Sequence, residues 1–156
     1  MPVKRLKEYL DRHEIKYITI RHSPAYTAQE VAASAHIPGR EMAKTVMIKI
    51  DDDIAMAVLP ASFHVDLDRL REITGSKRIA LAAEDDFKDL FPSCEVGAMP
   101  PFGNLYDMQL FADASLAEDE EIAFEAGSHS ELIRLPYADY VRLAEPVVVQ
   151  FALEYV

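Results

Sequence analysis

Thr45-Val46-Met47-Ile48-Lys49-Ile50, then Asp51-Asp52-Asp53, then Ile54-Ala55-Met56-Ala57-Val58-Leu59 is the stretch that decides the fold. Two short apolar runs, the first rich in β-branched residues, flank an acidic break, and Pro60 closes the second. Runs of this length are strands, and a short polar turn between them makes an antiparallel hairpin.

Upstream of the hairpin, Val3, Leu6, Tyr9, Leu10 and His13 recur at helical spacing with Lys and Arg on the other side. Tyr17 to His22 is β-branched and alternating, which predicts a strand that Ser23-Pro24 stops. Thr27 followed by Glu30 forms a capping box and opens an alanine-rich helix from Ala28 to His36, broken by Pro38-Gly39. Downstream, Asp66 caps a helix from Leu67 to Thr74, and Gly75 stands where a left-handed C-terminal residue belongs. A short helix follows from Glu84 to Leu90, then strands at Asp107–Ala112, Glu121–Glu125 and Leu132–Leu135. The last helix begins with Pro136 at its first position and ends near Ala144. Pro146 leads into an apolar tail, Val147 to Val156, whose pattern assigns no element. About six strands and four or five helices without regular β-α-β alternation predict an α+β domain with a mixed or largely antiparallel sheet. No repeat or linker divides the chain, so residues 1–156 read as one domain.

Half of the 156 residues are apolar and 28% are charged, a composition that forms a packed core rather than a disordered segment. The longest apolar run, Ile54 to Ala61, is far short of the roughly 20 residues that span a bilayer. The first residues show no apolar leader region, so the expectation is a cytoplasmic protein with no membrane partner. Cys94 is the single cysteine, which excludes an intrachain disulfide and a cysteine-based zinc site. Its sequence neighbours offer no cation to lower the thiol pKa, so the reading is a plain thiol rather than a nucleophile. The five histidines are scattered without metal-ligand spacing, and no metal or other cofactor is expected. Net charge is −11, against a protein that coats nucleic acid with its whole surface. Yet residues 1–80 balance to +2 and residues 81–156 to −13, so one face can be locally basic.

Four segments carry chemistry-bearing residues. Gly97-Ala98-Met99-Pro100-Pro101-Phe102-Gly103 sets two prolines between two glycines. Such a loop is stiff, and outward backbone amides on it would suit an oxyanion; the plainer reading is a tight connector around a buried Phe102. Lys44 stands at the mouth of an apolar strand, where it can neutralise a phosphate or polarise an ester, although most such lysines are surface residues. Gly127-Ser128-His129 lies between two predicted strands; Ser128 and His129 read as binding residues, with solvated-loop polarity as the alternative. His22 through Tyr26 and Thr27 leads into the capped helix, and N-cap chemistry explains Thr27 while leaving His22 and Tyr26 available.

Taken in order, these segments resemble the YbaK/ProX family of aminoacyl-tRNA editing domains, relatives of the insertion domain of bacterial prolyl-tRNA synthetase. The resemblance rests on His22 through the Thr27–Glu30 box, Ala43-Lys44-Thr45-Val46, Val58-Leu59-Pro60-Ala61 with Asp66, Gly97 with Pro101-Phe102-Gly103, Asp113, and Gly127-Ser128-His129 with Leu132-Ile133. It covers roughly residues 17–145, leaving the N-terminal helix and the apolar tail as additions. It implies a mostly antiparallel sheet curved around a pocket, and metal-free hydrolysis of the ester joining a wrong amino acid to tRNA. Lys44 and Gly97 then fall on catalytic positions. His22, Tyr26, Thr27, Ala98, Met99, Pro100, Pro101, Phe102, Gly103, Gly127, Ser128 and His129 fall on substrate-binding ones. The implied partners are the acceptor end of an aminoacyl-tRNA and a synthetase; the apolar tail, longer than the family core requires, either covers an edge or forms a contact with a second copy of the chain. The competing readings are a non-catalytic module for an aminoacyl or nucleotide ligand or a synthetase partner, and a hydrolase of another small ester or amide.

Overall fold

The structure, a computed structural model, describes residues 2–22, 28–35, 37–39, 41–91, 94–95 and 98–154. The hairpin forms as read and is longer than read: β2 (Met42–Ile50) and β3 (Asp53–Pro60) pair antiparallel with Met47 opposite Met56. At its turn Asp51 takes a φ of 53°, a left-handed position that aspartate tolerates. Its Oδ1 accepts the amides of Lys77 and Arg78 at 3.1 and 2.9 Å, which lays the unforeseen strand β5 (Ile79–Leu81) against β2.

Around the hairpin the sheet also takes in β1 (Ile18–Arg21), β6 (Gln109–Asp113), β7 (Glu121–Ser128), β8 (Glu131–Pro136) and β9 (Val147–Val149). Their order is β1-β8-β7-β2-β3-β6-β9, with β5 paired on β2. The β1/β8, β8/β7, β2/β3 and β2/β5 joins are antiparallel; β7/β2, β3/β6 and β6/β9 are parallel. The expected mixed, mostly antiparallel α+β sheet flanked by helices is what the chain adopts.

Alternation along β2 divides the core between the two faces, because successive strand side chains point oppositely. Ala43 and Met47 belong to one cluster under helices α1 (Pro2–Arg12) and α5 (Tyr137–Ala144), which contribute Leu6, Leu10 and Tyr140. Phe102 lies in this cluster, its ring 5.6 Å from Phe124, 5.4 Å from Tyr140 and 6.0 Å from Tyr9, in edge-on contacts. The opposite face carries two smaller clusters. Met42 packs with Val31 and Ala32 of α2 (Ala28–Ser34), while Ile48 and Ile50 pack with Leu70 of α3 (Leu67–Thr74) and Phe151. Lys44 is on this second face, along the strand between Met42 and Ile48.

Several expectations need correction. Helix α1 ends at Arg12, so His13 is an exposed residue beyond it, its ring tilted 56° against that of Tyr9 with centroids 4.7 Å apart. The Glu84–Leu90 helix is α4 (Glu84–Phe87) followed by a 3₁₀ turn. Pro136 occupies the N-cap of α5 with ψ 136°, so the helix begins one residue later than expected, at Tyr137. The unassigned tail adds β9 to the sheet edge, and β10 (Ala152–Glu154) pairs with β4 (Phe63–Val65). The α3 caps are as read: Asp66 accepts the Arg69 amide, and Gly75 takes φ 68°. Thr27, half of the expected capping box, lies outside the described residues. None of the described helices is long and apolar enough to cross a membrane.

Candidate active site

The site is organised by an irregularity where β7 turns into β8. Glu125 pairs with Leu132, but the next registered pair is Ser128 with Glu131, so Ala126 and Gly127 are extra residues on β7. Extra residues bend a strand and re-aim its side chains. Gly127 absorbs the bend at φ 104°, a conformation that L side chains rarely adopt.

The proline-rich loop is stitched to this bulge. Gly127 donates its amide to the Ala98 carbonyl at 2.8 Å and accepts the Glu95 amide at 2.9 Å. Ala98 in turn donates to the Glu95 carbonyl at 3.0 Å. The Glu95 side chain completes the link by accepting the backbone amide of His129 at 2.7 Å. On the far side of the turn, His22 donates its amide to the Ser130 carbonyl at 3.0 Å as the chain leaves β1. His22, Ala98 and the Gly127–His129 turn, distant in sequence, thus meet at one end of the sheet. Lys44 enters through strand pairing. The parallel β2/β7 register sets Met42 by Ala123 and Ala43 by Phe124, and Lys44 follows directly after the last registered pair. The Lys44 ammonium donates to the Ala61 carbonyl at 3.4 Å.

Other expected site residues hold packing roles. Ala98, Met99, Pro100, Pro101, Phe102 and Gly103 are all buried. The amides of Ala98 and Phe102 are used within the loop, by the carbonyls of Glu95 at 3.0 Å and of Pro100 at 2.8 Å, in keeping with the tight-connector reading of this stretch. Pro101 accepts the buried Tyr140 hydroxyl at 2.9 Å. Gly103 is required by space, since a Cβ there would stand 2.8 Å from the Met108 carbonyl oxygen. Gly97, Tyr26 and Thr27 lie outside the described residues. Cys94 is half-buried with its sulfur 3.9 Å from the Tyr106 hydroxyl, and burial pushes its thiol pKa up, against a nucleophilic role.

Two acidic residues at the site escaped the sequence reading. Glu95 clamps the turn as described. Glu125 is buried on β7, and its Oε2 lies 3.4 Å from His129 Nδ1. Burial, and secondarily the Glu95 carboxylate, pushes its carboxyl up to about 8. The available signal was an acidic residue inside an otherwise apolar strand, Ile122-Ala123-Phe124-Glu125-Ala126.

A profile of the aminoacyl-tRNA editing domain family matches residues 22–143. Among similar proteins, the multifunctional Ser/Thr-tRNA deacylase ProXp-y of Escherichia coli (strain K12) is 29% identical over 153 residues, covering 95% of this chain and 91% of that protein. A proline–tRNA ligase of Bacillus cereus (strain AH187) is 26% identical over 89 residues, which is 57% of this chain and 16% of the ligase. Among solved structures, a hypothetical protein superposes with a TM-score of 0.84 at 19% identity, over 96% of this chain and 99% of that one. A candidate trans-editing enzyme for prolyl tRNA synthetase gives 0.81 at 17% identity, over 97% of each chain. At these identities the structural likeness establishes the fold. The profile match runs from His22 through Lys44 and the proline-rich loop to the Gly127–His129 turn and beyond, and on it this chain belongs to the aminoacyl-tRNA editing domain family.

Proposed function

We propose that this chain hydrolyses the ester of mischarged aminoacyl-tRNA in trans, as a cytoplasmic, metal-free quality-control deacylase. The observation that carries the reading is the family match over residues 22–143, which spans every element meeting at the bulged turn.

An aminoacyl ester is already activated, so positioning and charge stabilisation suffice. Water adds to the ester carbonyl, backbone amides near Gly97 receive the negative charge on its oxygen, and the carbon–oxygen bond to the ribose then breaks. The ribose oxygen takes a proton as the free amino acid leaves. The substrate's own free ribose hydroxyl or amine assists the attacking water. Lys44 holds the terminal phosphate or ribose and so fixes the ester against the loop. Ser128 and His129 bind the substrate at the turn, with His22 beside them.

The acidic total charge supports recognition confined to the acceptor end. Similarity to a segment of a proline–tRNA ligase supports action beside a synthetase. The exposed Val147, Val148 and Leu153 of the tail are the surface on which we place a homodimer contact, which light scattering reads directly.

The test is a panel of mischarged tRNAs, beginning with Ala-, Cys- and Ser-tRNA of the proline and cysteine systems and extended to Thr-tRNA. Release of the amino acid from at least one, above the uncatalysed rate, is the expected result. Binding of aminoacyl-tRNA with the ester left intact would instead identify a non-catalytic module. Hydrolysis of simple amino acid esters with no action on charged tRNA would identify another esterase.

A further inference from the structure

Charge is unevenly placed along this chain, and its basic part borders the site. Residues 2–22 carry six Lys and Arg against three acids, whereas residues 23–156 carry ten against twenty-four. In the fold this segment is α1 followed by β1, the end strand of the sheet order. Helix α1 buries Leu6 and Leu10 and leaves Lys4, Arg5 and Arg12 exposed. Lys7 donates to the Glu131 carboxylate at 3.0 Å, and Arg21 is registered opposite that same Glu131 across β1 and β8. Glu131 directly follows Ser130, whose carbonyl accepts the amide of His22, the neighbour of Arg21. Two cations around one acid therefore stand at the rim of the bulged turn. From there the positive charge continues away from the turn. Lys16 precedes β1 by two residues, on the order of 15 Å from Arg21 along an extended chain, and Arg12 ends α1.

Other charges of the segment are engaged locally. Glu8 faces Lys4 at 4.0 Å, Asp11 accepts the Tyr17 hydroxyl at 3.1 Å, and Arg5 donates to the Leu105 carbonyl at 2.7 Å with its guanidinium over the Tyr106 ring. Arg12, Lys16 and Arg21 are exposed and make no ion pair among the described residues.

We propose that Arg12, Lys16 and Arg21, with Lys7 at the rim, form the strip that takes the phosphate backbone of the tRNA acceptor stem while the aminoacylated 3′ end enters the site. The inference rests on the editing reading and adds the partner's place on the surface. The ester lies at the tip of a duplex, so with the ester at the turn the stem must leave along a surface that borders the turn. A duplex is a dense polyanion, and a protein of net charge −11 repels it over most of its surface. The α1–β1 strip is a stretch of positive balance beside the turn, and α1 lies before the residues that the family profile matches. Phosphate contacts position a nucleic acid without reading its sequence, so the strip fits any acceptor stem and leaves selection of the amino acid to the pocket.

The test compares wild type with the triple variant Arg12→Ala, Lys16→Ala, Arg21→Ala. A control triple, Arg71→Ala, Lys77→Ala, Lys88→Ala, removes the same charge from exposed cations outside the strip. Binding of uncharged tRNA is followed by fluorescence anisotropy across salt concentrations. Deacylation is measured on mischarged tRNA and on an aminoacyl-adenosine that lacks the stem. The strip variant should bind tRNA about tenfold or more weakly at low salt, with the slope of log K against log salt reduced by roughly 2 to 3. Its KM for mischarged tRNA should rise by a similar factor, while kcat and the rate on aminoacyl-adenosine stay at the wild-type values. The control triple should change binding by less than about threefold. A strip variant that binds tRNA like the control overturns the proposal, as does an equal loss on the stem-less ester. Unchanged tRNA binding with lost binding to prolyl-tRNA synthetase also overturns it, and marks the strip as a protein-docking surface. Should wild type hydrolyse no mischarged tRNA, the editing reading falls. The anisotropy series then still decides the strip, and a wild type that does not bind tRNA, or binds it without salt dependence, overturns it.

Discussion

Strands β6 and β7 each bury a carboxylate, and the two are handled oppositely. Asp113, on β6, is 2% exposed and fully employed. Its Oδ1 accepts the amides of Phe151 and Ala152, each at 2.9 Å, and its Oδ2 accepts the Ser115 amide at 3.0 Å together with the Ser115 hydroxyl. Glu125, on β7, is 7% exposed, and its Oε2 has the His129 ring at 3.4 Å with no hydrogen-bond donor among the described residues. Burial alone therefore does not separate structure from function. A buried acid that satisfies backbone donors is an anchor; one that satisfies none and lies against a site histidine is available for chemistry. Asp113, which the family resemblance singled out, ties the C-terminal tail to the sheet, whereas Glu125 borders the site.

Variants at the two positions should separate these roles. Asp113→Ala leaves three backbone amides without their acceptor and should cost about 3 kcal/mol or more, read by urea unfolding, while the folded fraction keeps its rate. Full stability with lost activity would reverse the assignment. Glu125→Gln should act on stability in a pH-dependent way. The folded carboxyl titrates at about 8 against an ordinary 4.5, so between those values the folded state holds a proton that the unfolded chain has released. Stability supplied by that proton is lost as pH rises from 4.5 through 8, and the uncharged glutamine does not share the loss. The Tm of Glu125→Gln should therefore match wild type in acid and exceed it by about 5 °C above the upper value. A constant difference across pH would show that the ionised carboxylate is as well solvated folded as unfolded. The smallest effect belongs to Cys94: replacement by serine should change stability by less than about 1 kcal/mol and leave deacylation unchanged. A tenfold loss of rate would bring the thiol into the mechanism.

What could be read from the sequence was what local rules decide. The hairpin followed from two apolar runs around a polar break, and α3 followed from its caps at Asp66 and Gly75. The tail could not be read, because β9 and β10 are three-residue strands whose partners, β6 and β4, lie far away in the chain. Pattern gave no sign that the Ala98 and Phe102 amides close turns onto Glu95 and Pro100, so the loop looked more open than it is. Phe102 is the aromatic centre of the larger core cluster, as the connector reading of the loop implied. Glu125 was missed for a related reason. Alternation with Ile122 and Phe124 assigns it to the other face, which in a one-sided sheet would be solvent. Here α2 covers that face with Val31 and Ala32, and the acid is buried.

The central claim, that the lysine on β2 and the stitched loop form an ester-hydrolysing centre, is tested most directly by single-turnover deacylation of a mischarged tRNA by Lys44→Ala. The account predicts a rate lower by about 100-fold or more, with the unfolding transition little changed, on the scale of losing one preorganised electrostatic group. A Lys44→Ala variant that deacylates at the wild-type rate would contradict it.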